Sequence, residues 1–426
     1  MDLILIFGVF LVLLFIRVPI AFSMLASALL YLSVNDVSLG LLVQRVAGGL
    51  DSFPLLAVPL FLAAGFLMNT MGITDRIFDF AGTLVRHLPG GLGHVNVVSS
   101  VIFSGMSGSV VADAGGLGVV EIRAMRKAGY SARFSAAITA ASALIGPIIP
   151  PSVVMVIYAF VTEVSLGKMF IAGVIPGLMM ALSMMILIAI MALTGMEDCP
   201  RQPRATLGEL WTAFRRAFLP MMAPVILVAG ILSGIFTPTE AGVVAVIYVL
   251  IIGSFTLDMN LRHILRAFSE AASTTAATLF IIASSLIFTW IVATADLPQI
   301  VAAWFDDLGA SPSVALLIMV AITLVLGMFL EGIPIMMVFG PIFMAVAQSL
   351  GIDLVHLGIV FIVSMMIGGV TPPVGIALYV VMAIARIPLG EFMKGIWPFY
   401  FAIIAVIVLL VFFPQLSLWL PELLWR

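Results

Sequence analysis

The segment LIGPIIPPSVVMVIYAF, residues Leu144–Phe160, places two consecutive prolines inside an apolar stretch long enough to cross a membrane. Proline lacks a backbone N–H donor and clashes with the preceding helical turn, so Pro150 and Pro151 must interrupt any helix that contains them. No charged residue occurs between Arg133 and Glu163. The segment therefore predicts a helix break at bilayer depth, where unpaired backbone groups are costly.

The composition of the whole chain favours a membrane protein. Of 426 residues, 63% are hydrophobic and 9% are charged, and the mean hydropathy is +1.29. Charge-free stretches recur that exceed the roughly 20 residues needed to cross a hydrocarbon core, and the alternation typical of a membrane β-barrel is missing. We predict a polytopic all-α membrane protein. A single cysteine, Cys199, excludes a disulfide framework and a cysteine-ligated metal site.

Turns and charges predict ten complete crossings, two re-entrant hairpins and two interfacial helices. The hairpins are predicted at residues 92–120 and 312–349, each preceded by an interfacial helix, Ile73–Leu88 and Leu297–Leu308. With both termini in the periplasm, 15 of the 18 Lys and Arg residues are cytoplasmic, as the positive-inside rule requires. The predicted crossings are residues 3–16, 18–34, 54–71, 131–163, 168–195, 217–236, 239–256, 271–295, 354–385 and 396–420.

Motifs of the first half of the chain recur in the second half. SGMSGS at Ser104–Ser109 precedes GPIIPPS at Gly146–Ser152, and LGMFLEG at Leu326–Gly332 precedes GGVTPPVG at Gly368–Gly375. One fixed shift along the sequence aligns the first glycine–methionine pair with the second and also aligns the first diproline with the second. We call this shift the repeat offset. Because each half holds an odd number of crossings, five, the halves are predicted to have opposite orientations. This is the pattern of an inverted repeat.

The four interruptions, two hairpin tips and two diproline breaks, predict a central binding site. Unwound backbone is tolerated at membrane depth only where it is buried in protein or lines a polar cavity. Each break frees carbonyl oxygens for a small cation and exposes a helix N-terminus whose partial positive charge favours an anion. The hydroxyls of Ser104, Ser107, Ser109 and Thr371 can add oxygen ligands for a hard cation. The pattern predicts a site for an organic anion and coupling cations such as Na⁺.

Two acidic residues, Asp113 and Glu331, lie near the predicted hairpin tips. An ionisable group inside the membrane is costly, so a functional role is the default hypothesis for each. Direct coupling to transport and a structural contact remain alternatives for both residues.

The segments SGMSGSVVAD, AMRKAGYSARFSAAITAASALIGPIIPPS and GGVTPPVG, in this order and spacing, resemble the large membrane subunit of tripartite ATP-independent periplasmic (TRAP) transporters. The resemblance extends over almost the entire chain. It implies an elevator-type transporter, in which a transport domain with both hairpins and both broken helices slides against a scaffold. It also implies a Na⁺ gradient with no further cofactor, a periplasmic substrate-binding protein and a separate small four-helix membrane subunit.

The resemblance implies two Na⁺ sites, each at a hairpin tip and a broken helix. The first would contain Ser104, Ser107, Gly108, Gly146 and Pro150. The second would contain Gly327, Gly368, Thr371 and Pro372. The predicted substrate contacts are Ser109, Ser152 and Gly375.

The predicted domains alternate along the chain. Residues 1–91 are assigned to scaffold spans and the first interfacial arm helix, and residues 92–167 to hairpin 1 and the first broken helix of the transport domain. Residues 168–311 return to scaffold spans and the second arm helix. Residues 312–390 complete the transport domain with hairpin 2 and the second broken helix, and residues 391–426 form the C-terminal scaffold span.

The leading prediction is the permease subunit of a Na⁺-coupled secondary transporter. It would import a small organic acid, such as a C4-dicarboxylate or a sugar acid, across the bacterial inner membrane. A stand-alone ion-coupled dicarboxylate carrier and a subunit of a membrane-embedded redox or antiporter complex remain alternatives. An enzyme is not expected, because the chain shows no nucleophile or metal constellation for intramembrane catalysis. The lack of a Walker A motif argues against ATP-driven transport by this chain.

Overall fold

Helices account for the regular secondary structure of the described parts of the chain. The computed structural model describes residues 2–256 and 260–425, and within them it has 21 α-helices, one 3₁₀-helix and no strand. Seven helical segments are long and apolar enough to cross a membrane. The prediction of an all-α polytopic membrane protein is confirmed. The seven segments are Phe53–Thr70, Leu166–Leu193, Leu207–Leu232, Pro238–Phe255, Leu261–Thr294, Gly332–Ser349 and Leu389–Phe412.

The helices fall into two consecutive sets. The first set is α1 Asp2–Phe15, α2 Ile20–Val34, α3 Gly40–Leu50, α4 Ala57–Thr70, α5 Ile73–Val85, α6 Leu92–Ser107, α7 Val110–Gly115, α8 Leu117–Lys127, α9 Ala132–Ala143, α10 Val153–Thr162 and α11 Leu166–Leu193. The second set is α12 Leu207–Leu232, α13 Pro238–Thr256, α14 Leu261–Thr294, α15 Leu297–Asp307, α16 Pro312–Gly327, α17 Gly332–Ser349, α18 Leu354–Gly368, α19 Ile376–Ala385, α20 Leu389–Phe412 and α21 Gln415–Leu424.

The repeat found in the sequence recurs in the bounds of the helices. Moving α5, α9 and α10 along the chain by the repeat offset places them on α15, α18 and α19, with ends that agree to within a single helical turn. The unwound residues between α9 and α10, and between α18 and α19, contain the two diprolines. The Pro150–Pro151 and Pro372–Pro373 peptide bonds are both cis. The opposite orientation of the two halves stays a prediction.

Hairpin 1 comprises α6, α7 and α8, and hairpin 2 comprises α16 and α17. Moved by the repeat offset, the stretch 110–127 of α7 and α8 coincides with α17, which is continuous. Hairpin 1 is interrupted at Gly116, and a β-carbon added there would lie 2.7 Å from the Asn69 side chain of α4. The missing side chain at Gly116 therefore lets α4 approach hairpin 1 closely.

The structure contains a helix that the sequence analysis did not predict, α3. It packs along α14, and the corresponding stretch of the second half is the N-terminal part of α14 itself. In the first half residues 51–56, which include the 3₁₀-helix Phe53–Leu56, separate α3 from α4, because Pro54 cannot continue an α-helix from the residues before it. The same pair of elements is thus one long helix in one half and two shorter helices in the other.

For two predicted crossings, the helix in the structure begins about ten residues before the predicted start. The α12 helix begins at Leu207 instead of residue 217, because Thr206 and Glu209 form a capping box. Glu209 also forms an ion pair of 3.0 Å with Arg86. The α14 helix begins at Leu261 instead of residue 271, and the Asn260 side chain caps its N-terminus. Polar caps and ion pairs therefore extend these helices beyond their apolar spans.

The two broken helices form the centre of the bundle. Every residue of α18 except Leu354 is buried. Tyr158 of α10 crosses α18 where Gly358 leaves room, and the Tyr158 hydroxyl donates to the Leu354 carbonyl oxygen over 2.7 Å. At the other end of α18, a β-carbon added at Gly368 would lie 2.3 Å from the carbonyl oxygen of Gly327 in α16. Hairpin 2 and the second broken helix therefore meet backbone to backbone.

We predict that Gly368→Ala destabilises the protein by about 1–3 kcal/mol, because the added methyl group overlaps backbone atoms that cannot rotate away. Thermal unfolding of the purified protein in one detergent measures the change. Gly390→Ala is the matched control, since no atom lies within 4 Å of its β-carbon position, and its stability should stay within about 1 kcal/mol of the parent. Equal unfolding temperatures for the two variants would contradict the close approach.

Candidate functional site

The tip of hairpin 1 lies against the first diproline break. Gly108 ends α6 in the left-handed region, at φ +56°, and a β-carbon added there would lie 2.9 Å from the Pro151 carbonyl oxygen. A β-carbon added at Gly146 would lie 3.6 Å from the Ser109 carbonyl oxygen. One at Gly105 would lie 3.4 Å from the carbonyl oxygen of Pro150. The structure thus brings together the backbone of the residues predicted for the first cation site.

Two of the serines predicted around this junction, Ser104 and Ser152, are buried and donate to nearby carbonyl oxygens. Ser104 is buried, and its hydroxyl donates to the Ser100 carbonyl oxygen over 2.5 Å within α6. Ser152 is also buried, where its hydroxyl donates to the Pro147 carbonyl oxygen and caps α10 at the Met155 N–H. The side chain of Ser107 lies outside the described residues. Ser152 therefore braces the break from inside the protein.

The tip of hairpin 2 lies against the second diproline break in the same way. Besides the Gly327–Gly368 contact, the Val374 N–H donates to the Met328 carbonyl oxygen over 3.2 Å. The Thr371 hydroxyl donates to the Ile367 carbonyl oxygen over 2.7 Å, which leaves its oxygen lone pairs free to accept. Gly327, Gly368 and Thr371 therefore come together, and Pro372 follows directly in the chain.

Hydrogen bonds from the protein support several carbonyl oxygens of the second break. The Tyr400 hydroxyl of α20 donates to Val370 O over 2.5 Å, and the Tyr379 hydroxyl of α19 donates to Pro373 O over 2.8 Å. The Gly375 N–H donates to Thr371 O over 3.1 Å. A carbonyl oxygen has two lone pairs, so each paired carbonyl can still accept one further ligand.

A central cavity of about 500 Å³ lies between the tips of both hairpins, the second break and α14. Five residues predicted from the sequence line it: Ser109, Gly327, Glu331, Gly368 and Gly375. Ser152 is not among the lining residues. Hydroxyls of α14 complete the wall, from Ser273, Thr274 and Thr278.

The sequence analysis missed the α14 contribution to the cavity. Ser273, Thr274 and Thr278 belong to a short polar run, ASTTAATL at residues 272–279, within an otherwise apolar predicted crossing. That run was the available signal. Its location on the cavity depends on how α14 packs against hairpin 2, which no local pattern encodes.

Three helix N-termini reach the cavity, at residues that line it: Ser109–Val110 for the short α7, Glu331–Gly332 for α17 and Gly375–Ile376 for α19. The first N–H groups of a helix lack intrahelical partners and carry partial positive charge. Glu331 is half-buried and makes no capping hydrogen bond with its side chain. No Lys or Arg is among the described residues that line the cavity. Positive potential therefore comes from backbone groups, and Glu331 adds a carboxyl group beside them.

We predict that Tyr400→Phe destabilises the protein by about 1–3 kcal/mol, because it leaves the buried Val370 carbonyl oxygen without its donor. Thermal unfolding in detergent measures the change. Tyr379→Phe removes an equivalent bond to Pro373, but the Tyr379 side chain is 47% exposed, so water can replace the donor and the cost should stay below about 0.5 kcal/mol. A smaller effect at Tyr400 than at Tyr379 would contradict this account of the break.

The structure is that of an all-helical membrane protein with a central cavity lined by the tips of two hairpins and by the second broken helix. The family model described as "Tripartite ATP-independent periplasmic transporter, DctM component" matches residues 7–416. The chain belongs to this family, the large permease proteins of TRAP transporters. This confirms the predicted resemblance. The prediction that the chain is no enzyme is also confirmed, because the relatives are transporter permeases.

Relatives with named substrates match nearly the full chain. The sialic acid TRAP transporter large permease protein SiaM of Vibrio cholerae is 42% identical over 418 residues, with 96% of each chain covered. The C4-dicarboxylate TRAP transporter large permease protein DctM of Pseudomonas aeruginosa is 38% identical over 399 residues, with 93% of each covered. The 2,3-diketo-L-gulonate TRAP transporter large permease protein YiaN of Escherichia coli is 34% identical over 405 residues, with 94% of each covered.

A solved structure has a similar fold. The crystal structure of the Alcanivorax borkumensis YdaH transporter superposes with a TM-score of 0.63 and 16% sequence identity, and the match covers 88% of this chain and 87% of that one. At this identity the likeness concerns the fold alone. Together, the family match and the apolar helices establish a multi-pass protein of the bacterial inner membrane, and they favour a permease subunit over the two alternatives.

Proposed function

We propose that the chain carries a small organic acid through the central cavity, as the permease subunit of a Na⁺-coupled transporter. The observation that supports this most is the cavity itself, which both hairpin tips, the second break and α14 line together. Its volume of about 500 Å³ lies within the range of about 300–1,000 Å³ typical of small-molecule sites.

The chemistry of the cavity wall favours a hydroxylated acid with one negative charge. The N-termini of α17 and α19 suit one carboxylate, and the hydroxyls of Ser109, Thr274 and Thr278 suit polar groups of the same molecule. A second carboxylate would find no Lys or Arg among the described lining residues, and it would be repelled by Glu331 if that residue is ionised. A sugar acid therefore fits this wall better than a dicarboxylate.

Na⁺ would bind at the two junctions between hairpin and broken helix. Hard cations prefer oxygen ligands, and both junctions concentrate backbone carbonyls within close-packed glycine contacts. At the second junction the Thr371 hydroxyl has acceptor capacity left. The residues of each junction remain those predicted from the sequence.

The cavity wall is divided between the predicted transport domain and the predicted scaffold, and this division supports an elevator mechanism. Hairpins and broken helices belong to the predicted transport domain, residues 92–167 and 312–390, whereas α14 belongs to the predicted scaffold, residues 168–311. The cavity therefore lies on the boundary between the predicted transport domain, which would move, and the predicted scaffold, which would stay in place. A sliding mechanism requires this arrangement. Family membership supports two partners, a periplasmic binding protein and a small membrane subunit. The orientation with both termini in the periplasm stays a prediction of the charge distribution.

Reconstitution into liposomes tests the proposed function. We expect concentrative uptake when the chain, its small subunit and the loaded binding protein are combined under a Na⁺ gradient, and none from the chain alone. A panel of sugar acids and dicarboxylates gives the substrate class. Full-rate uptake by the isolated chain would instead indicate a stand-alone carrier.

In the same assay, Thr278→Trp should abolish uptake at normal expression, because the indole fills the cavity. Ala276→Trp is the matched control, since residue 276 lies on the same helix, is exposed and does not line the cavity. An equal loss of uptake in both variants would show that tryptophan damages α14, and not that it blocks the cavity.

We predict that Thr371→Val raises the Na⁺ concentration for half-maximal uptake about tenfold or more. The isosteric change removes one oxygen ligand, a loss on the order of 1–3 kcal/mol, and about 1.4 kcal/mol corresponds to a factor of ten. Thr371→Ser keeps the oxygen and should stay near the parent value. Unchanged Na⁺ dependence in a well-expressed Thr371→Val protein would remove Thr371 from the site.

A further inference from the structure

A buried polar cluster lies in hairpin 1, outside the wall of the central cavity. Asp113 of α7 is 1% exposed and Glu121 of α8 is 0% exposed. Both helices pack against α6 and α9. The sequence analysis singled out Asp113 and missed Glu121. The uncharged members of the cluster, all buried, are Asn96, Ser99, Ser100, Thr139 and Ser142.

A chain of hydrogen bonds runs through the uncharged members of this cluster. The Ser100 hydroxyl donates to Ser142 Oγ over 3.1 Å, and the Ser142 hydroxyl donates to Asn96 Oδ1 over 2.7 Å. Asn96 Nδ2 in turn donates to Thr139 Oγ1 over 2.7 Å. Each hydroxyl carries one proton, so each can donate to one acceptor at a time.

The two carboxyl groups are incompletely satisfied by this hydrogen-bond chain. Ser99 Oγ lies 2.7 Å from Glu121 Oε1, but Glu121 Oε2 and Asp113 Oδ2 have no hydrogen-bond partner among the described residues. Ser100 is the hydroxyl that faces the Asp113 carboxyl, and the same hydroxyl lies 3.1 Å from Ser142 Oγ. The single proton of Ser100 can therefore serve either Asp113 or Ser142, and the cluster offers an ionised Asp113 few donors.

Charged groups on the packed helices lie elsewhere in the described structure. His94 of α6 contacts the Pro89 carbonyl oxygen, and Arg133 of α9 pairs with Glu197. The α8 basic residues are exposed, as is Arg386 at the end of α19. Of the charged residues of α5, Asp75 is exposed, and Arg76 and Asp79 line another cavity together with residues of α12. The basic residues of α8 are Arg123, Arg126 and Lys127, and the charged residues of α5 are Asp75, Arg76 and Asp79.

We propose that Asp113 and Glu121 form a proton-binding pair, which holds at least one proton at neutral pH. Two ionised carboxylates in this enclosure would repel each other with neither hydration nor a cation to compensate. Carboxyl pairs that share a site keep one proton for this reason. A hard metal cation fits less well, because such ions take about six or more oxygen ligands and the hydroxyls here are already bonded to one another.

The pair is placed to make transport depend on pH. The Asp113 N–H donates to the Ser109 carbonyl oxygen over 3.0 Å, and Ser109, Val110 and Val111 line the central cavity. One short helix therefore connects the proton site to the substrate cavity. Opening of hairpin 1 would admit water to the pair and release its proton. This consequence rests on the proposed function, whereas the proton site itself does not.

Infrared spectroscopy of the purified protein tests the proton site without a transport assay. At neutral pH we expect a carbonyl stretching band of a protonated carboxylic acid, which shifts in heavy water. The double variant Asp113→Asn/Glu121→Gln should remove that component, since each amide matches a protonated carboxylic acid in shape and neither carries a carboxyl group. Glu391→Gln should leave it unchanged, because Glu391 is exposed and pairs with Lys394.

The outcomes separate the proton site from other interpretations. Absence of the band from the parent protein would overturn the proposal, even if the double variant failed to fold. A band of unchanged intensity in the folded double variant would overturn it as well. If the band were absent and Na⁺ raised the unfolding temperature of the parent but not of the double variant, the pair would hold a metal cation instead. In liposomes, uptake by the double variant should vary less with pH than uptake by the parent. No uptake by the parent itself would count against the proposed function and leave the infrared result standing.

Discussion

Backbone polar groups inside a membrane must find partners within the protein, and this constraint organises the centre of the molecule. Two helices stop at diprolines, so their carbonyl and N–H groups lose helical partners. Side chains replace some of these bonds: Ser152, within the first break, braces that break, and Tyr379 of α19 and Tyr400 of the neighbouring α20 brace the second. The breaks persist because the surrounding helices bury and hydrogen-bond them.

Close packing of glycine backbones then determines where the breaks sit. Gly327 against Gly368, and Gly108 against Pro151, bring each hairpin tip to the unwound residues of a broken helix. Side chains at these glycines would force the pairs apart. The remaining space between the tips and α14 is the central cavity. Its polarity comes from helix ends and hydroxyls, with Glu331 as a carboxyl among the described lining residues. Such a wall can hold one carboxylate without a buried cationic side chain.

Several elements could be predicted because their signals are local. The diprolines, the glycine-rich tips and the repeat offset located the broken helices and hairpin 2 to within a few residues. Hairpin 1 continues through α8 to Lys127, past its predicted end at residue 120. Other features had no decisive local signal. The start of α12 depends on a capping box and on Arg86, far away in sequence. In the sequence, Glu121 resembles an ordinary exposed acidic residue close to Arg123, yet it is fully buried. Whether a charged residue faces solvent or a neighbouring helix depends on packing.

The sequence alone determined the class of protein, the repeat and the positions of the four interruptions, because apolar length and proline chemistry act within a single segment. Only the tertiary structure decided which of the candidate residues meet. It placed Ser109, Glu331 and Gly375 on one cavity with the hydroxyls of α14. It also removed Ser152 from that wall and joined Asp113 to Glu121 in a separate cluster. The physical reason is that contacts between distant segments depend on how whole helices pack, and a side chain's partner is set by that packing and not by its neighbours in the chain.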